Sequence, residues 1–141
     1  MPTHAPSSLS SDHRRQRVGV MATLAGLVAV SAYGGALGLM AGFVDLGPTA
    51  TARLPWHSPV LGGLALAVIV ATPAAVLTWL AAQADPRRET AAVAVGLILI
   101  VWIGVEVAVI RELSFLQPLF MLIGGMFVWL GSGTPLNRLT R

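Results

Sequence analysis

Glu106 is the acidic residue set deepest in an apolar segment of this chain, within GVEVAVIRELSFLQP (104–118). A carboxylate withdrawn from water into an apolar span is costly and by default marks function. Three kinds of chemistry fit it. It can reach a nearby interface or pair with Arg111 or Arg53. It can bind and release a proton or cation. It can contact a polar group on a partner protein. Arg111, Glu112 and Gln117 follow closely, so Glu106, Arg111, Glu112 and Gln117 form the candidate interaction or proton site. Ser114 and Gln117 also spell S-x-x-Q, a capping box in which the two side chains satisfy the N–H groups that open a helix. Pro118 then falls in the first turn, where its missing N–H does little harm.

Other chemistries lack their residues. There is no cysteine, which excludes disulfides, thiolate metal sites and redox dithiols. The three histidines, His4, His13 and His57, all lie outside the apolar runs, so a haem held by histidines within the membrane is not expected. His57 has no second histidine or acidic cluster beside it in sequence, which argues against a metal ligand. Met21, Met40, Met121 and Met126 show no ligand pattern and suit packing. Phosphate-binding, zinc-protease and nucleophile-elbow motifs are absent. The expectation is a protein that is not an enzyme, with no catalytic, cofactor or metal residues.

The elements that must hold Glu106 are set by composition. Of 141 residues, 55% are hydrophobic and 11% charged, against about 25% charged in a soluble domain. Mean hydropathy is +0.78. The sequence therefore predicts an all-α membrane protein, a bundle of four antiparallel transmembrane helices over 18–132. Residues 1–17 read as a disordered basic tail and 133–141 as a short basic tail. The helices are expected at about 18–43, 59–84, 91–110 and 115–131. The first run is longer than the apolar core of a signal peptide, about 7–15 residues, and reads as a retained span. Ser58-Pro59 supplies an N-cap and a proline at the first helical position. Pro73 predicts a kink, with Thr72 able to satisfy the backbone it disturbs. Asp85-Pro86 ends the second helix and Thr90 is placed to cap the third. At 1.5 Å per residue, Glu106 sits about 6 Å from the end of the third helix.

Small residues mark where helices approach closely. Gly34, Gly38 and Gly42 recur every fourth residue, a candidate helix-packing face either within the chain or toward a second one. The third helix carries a second row, Ala92, Gly96, Gly104 and Ala108.

All nine basic residues are arginine. Seven of them lie in the two tails and the 84–90 turn; only Arg53 and Arg111 lie in the other two connections. Because basic residues stay on the cytoplasmic side, both termini are expected inside. This bias accounts for the pI of about 11.1 without nucleic acid as a partner.

The stretches RLPWHSPVLGGLALAVIVATP (53–73) and SFLQPLFMLIGGMFVWLG (114–131) resemble those of small four-span membrane proteins of high-GC, actinobacterial-type bacteria. That resemblance implies topology and a bacterial plasma membrane, but no activity and no site residues. Small multidrug transporters are also compact and four-span, but they rely on a glutamate in their first helix. Here the expected first helix has no acid and Glu106 is late in the third. The functional expectation is a non-catalytic accessory or assembly subunit of a larger membrane complex. Its partners would be membrane lipids and either another protein or a second copy. The alternative is a small dimeric proton-coupled transporter using Glu106.

Overall fold

The computed structural model describes residues 7–111 and 113–133, and every regular element among them is helical. In chain order these are α1 (Ser7–Met40), α2 (Gly47–Arg53), a 3-10 turn (Pro55–His57), α3 (Pro59–Leu66), a π turn (Ala67–Ala71), α4 (Thr72–Ala82), α5 (Arg88–Ile110) and α6 (Leu116–Ser132). The α3, π and α4 segments run on as one helix over Pro59–Ala82. Three helices are long and apolar enough to cross a membrane: Ser11–Met40, Pro59–Ala82 and Arg88–Ile110. The fourth, α6, is apolar but shorter, at 17 residues.

Several boundaries differ from expectation. Residues 7–17, read as part of a disordered tail, continue α1. Nucleating a helix is the unfavourable step and extending one is nearly neutral, so the apolar run carries its polar neighbours into the helix. At the other end α1 stops at Met40 because Gly42 takes a left-handed φ of 77°. Phe43 N–H then donates to Gly38 O and Gly42 N–H to Leu39 O, the paired bonds of a Schellman cap. The 45–57 connection contains α2 instead of open loop. Helix α5 starts at Arg88, ahead of Thr90, because Asp85 Oδ1 accepts from Arg87 N–H at 2.8 Å and closes the turn first. The tail residues 1–6 and 134–141, and Glu112 of the candidate site, lie outside the described residues.

Ser58 caps α3 as expected, its Oγ accepting from Leu61 N–H at 3.4 Å. The disturbance from Pro73 is absorbed one turn earlier, as the π turn. There Ala67 O receives both the backbone N–H of Thr72 and its hydroxyl, the latter at 3.0 Å. Thr72 has one hydroxyl proton and gives it to Ala67 O, so the Tyr33 hydroxyl must be the donor in its 3.0 Å contact with Thr72 Oγ1. A polar chain thus ties α1 to the π turn. Replacing Thr72 by valine keeps the shape and removes both bonds. We expect a loss of about 1 kcal/mol, read as an earlier unfolding midpoint in detergent.

The helices pack in two pairs, α1 with α3–α4 and α5 with α6. In α1 the inward face is alanine: Ala25, Ala29, Ala32 and Ala36, spaced three and four apart, are all buried. Gly63 lets α3 lie against this face, since a Cβ there would stand 2.7 Å from Ala36 O. The pairs meet at the arginine-rich end of the bundle. Met21 and Val28 of α1, Leu77 of α4, Val95 of α5 and Phe127 of α6 share one core there, with Leu77 and Phe127 fully buried. Arg17 closes this end. Its Nη2 donates to Leu130 O at 3.3 Å, and its guanidinium lies 5.7 Å from the centre of the Trp129 ring.

The turn after α4 holds a correctable strain. Ala84 occupies the left-handed C′ position of a second Schellman cap, with φ 53°, and Asp85 N–H donates to Leu80 O. An L-residue there costs about 1 kcal/mol. Ala84→Gly is expected to recover about that much, raising the thermal midpoint with no change in helix content.

Candidate functional site

Away from the arginine-rich end the two helix pairs separate, and the space between them forms two apolar clefts. One, of about 530 Å³, is bounded by Leu54 after α2, Leu61 and Leu64 of α3, and Val105 and Val109 of α5. The other, of about 510 Å³, is bounded by Ser31 and Gly35 of α1, Ile103 of α5, and Gln117 and Phe120 of α6. Glu106 and Trp102 line both. They are four residues apart on α5, so they share a helix face and form the polar edge between the clefts.

Among the described residues the two polar groups on this edge have only each other. Trp102 Nε1–H is buried and completes no hydrogen bond. Glu106 is half-buried, and among the described residues it makes no ion pair and interacts with that same indole N–H. A buried donor left without a partner costs about 1–3 kcal/mol, and native structures leave few such groups.

The expected partners of Glu106 are engaged elsewhere. Arg53 reaches from the end of α2 to α5, but its Nη1 donates to Ile110 O at 2.6 Å. A cation at the C-terminal end of a helix is favoured by the helix dipole, and that site outcompetes the carboxylate. Arg111 is the C-cap of α5, with φ 55° and its N–H on Val107 O at 3.0 Å, and is exposed. Among the described residues Glu106 therefore pairs with neither Arg53 nor Arg111, contrary to expectation. Gln117 is buried at 9% exposure; its Oε1 accepts from Ser114 N–H at 3.1 Å, which is the backward half of the capping box. Ser114 Oγ turns to Leu116 N–H, at 3.4 Å, instead of completing the other half on Gln117. Of the four candidate residues, the structure brings Glu106 and Gln117 to one cleft and leaves Arg111 outside it.

The glycines behave differently from their spacing. Gly34 faces open space, Gly38 lies under Val44 of its own cap, and Gly42 has left the helix. Within the chain the close contact is made by the alanine face of α1. In the second row, Gly96 sits against Gly124 of α6, whereas Gly104 has nothing near it.

Reasoning from sequence missed Trp102, although its i, i+4 spacing from Glu106 was available. It also missed the Tyr33–Thr72 link, which joins residues 39 apart.

An all-helical protein of membrane type, with a polar Trp–Glu edge between two apolar clefts, is the class that this fold and site define. No family model matches the chain, and no curated protein or solved structure is significantly similar to it.

Proposed function

We propose that this chain is a four-span protein of a bacterial plasma membrane, both termini cytoplasmic, that serves as an accessory or assembly subunit. In this reading α6 crosses with α5, consecutive helices run antiparallel, and the clefts receive a transmembrane helix of a partner protein. Five arginines among the described residues, Arg14, Arg15, Arg17, Arg87 and Arg88, lie at one end, and Arg53 and Arg111 at the other. That distribution supports the orientation. The observation that carries the function is the Trp102–Glu106 edge. A buried N–H that completes no hydrogen bond, beside a carboxylate with no ion pair among the described residues and flanked by apolar clefts, suits a polar side chain on an incoming apolar helix. The test is purification from native membranes in a gentle detergent, with the mass of the complex and its co-purifying proteins read together. A stoichiometric membrane partner supports the reading. A chain that runs alone, with Glu106 variants unchanged, overturns it.

The same edge favours a second reading, a dimeric proton-coupled transporter, because Glu106 has no ion pair among the described residues and lines both clefts. Glu106→Gln separates the two. It keeps hydrogen bonding and would keep a partner helix, but it would abolish pH-dependent transport in liposomes.

A further inference from the structure

We propose that the arginine-rich end holds the phosphodiester headgroup of an acidic phospholipid in a pocket between the starts of α1 and α5. The pocket has a volume of about 320 Å³. Its rim carries His13, Arg14, Arg17 and Arg88, and its apolar floor is Val18, Met21 and Leu130. Glu89 is the acid on it. Three arginines against one glutamate leave a net charge of +2, with His13 counted neutral.

The charges are placed to receive an anion. Arg88 is only 6% exposed, yet it contacts Glu89 weakly, at 3.9 Å. Its Nη1 donates to Ala84 O and Asp85 O, which fixes the guanidinium in place. Arg17 is fixed in the same way by Leu130 O and Trp129. Arg14 makes no hydrogen bond or ion pair among the described residues. Two anchored guanidiniums and one uncommitted one match the several acceptor oxygens of a phosphodiester.

The surroundings select a lipid over a free anion. A second hollow shares His13, Arg17 and Leu130 with the pocket and continues past Val20, Met126 and Trp129. Those three are exposed apolar side chains on the outside of the bundle. A headgroup on the arginines would lay its acyl chain along them. Basic pockets between helices on the cytoplasmic side are the recognised chemistry for acidic headgroups. The inference rests on the helices spanning a bilayer with this end at the cytoplasmic leaflet.

The experiment is native mass spectrometry of the full chain in detergent, titrated with phosphatidylglycerol, phosphatidylcholine or inorganic phosphate. Co-flotation with neutral vesicles is measured on the same preparations. The wild-type chain should retain one phosphatidylglycerol in preference to phosphatidylcholine. Arg14→Gln should weaken that binding about fivefold, the effect of one basic residue at a membrane surface. Arg15→Gln is the control, since Arg15 is exposed beside the pocket and does not line it. Equal losses in the two variants would reduce the effect to a diffuse field and overturn the site. So would an absence of preference between the two lipids. Inorganic phosphate that binds as well as phosphatidylglycerol overturns the lipid assignment. A chain that fails to co-float removes the spanning reading and the lipid site together, whereas one that co-floats without lipid preference removes the site alone.

Discussion

Gly96→Val is expected to break the α5–α6 pair. At Gly96 a Cβ would stand 2.5 Å from Gly124 O and 2.9 Å from the backbone N of Val128. Two of those neighbours are backbone, so no rotamer change relieves the clash. The helices must separate, and among the described residues α6 has no other extensive contact to hold it. Gly131 repeats the situation one heptad beyond Gly124, with a Cβ 2.5 Å from Glu89 O. Overpacking a tight site costs about 1–3 kcal/mol and occasionally more. With backbone on both sides, we expect the upper end of that range. Unfolding in mixed micelles, followed by tryptophan fluorescence, should show the midpoint of Gly96→Val far below that of the wild type. Gly125→Ala and Gly104→Ala are the controls. Neither position has anything within 4 Å of the added carbon. Alanine is the better helix former by about 0.5–1 kcal/mol, so both should hold or gain stability. A midpoint for Gly96→Val equal to that of Gly125→Ala would refute the close crossing.

Glu106→Leu should have opposite effects on binding and on stability. A charged side chain costs about 2.5–3.5 kcal/mol at the centre of a span and less toward its end. Glu106 is one turn from the end of α5, has no ion pair among the described residues, and faces two apolar clefts. Removing the charge should stabilise the isolated chain by about 1 kcal/mol. Under the subunit reading the same change removes the group a partner helix would bond. An interhelical polar contact is worth about 1–2 kcal/mol in model peptides, so partner recovery should fall about tenfold. Gain of stability with loss of partner is the signature of a residue kept for recognition. Loss of both would make Glu106 a structural residue, held by a contact formed only in lipid. Glu106→Gln, which retains hydrogen bonding, should recover most of the binding.

Much of the local structure was legible. Ser58-Pro59 starts a helix because a hydroxyl and a preset φ meet the needs of a first turn, wherever they occur. Ser114 and Gln117 likewise open α6 by local bonds. Pro73 announced a disturbance, but whether it became a kink or a π turn depended on Tyr33 and Ala67 offering partners to Thr72. Glycine spacing gave a period but not the contact made within the chain, which falls on the alanine face of α1. Gly34, Gly38 and Gly42 have the period of a packing stripe, yet a left-handed cap at Gly42 ends the helix before the stripe is complete.

The sequence by itself determined the class, because apolar runs of this length and so little charge leave few ways to satisfy a backbone other than helices in lipid. It also determined that Glu106 is the residue to ask about, since one carboxylate in such a run is costly in any fold. Only the tertiary structure decided what Glu106 faces. Arg53 could have served it, but the carbonyl of Ile110 at the end of α5 held that guanidinium instead. The glycine contacts draw α5 onto α6, leaving Trp102 and Glu106 between two clefts. These outcomes are competitions between distant groups for the same partner or the same space. The order of residues along one helix does not contain them.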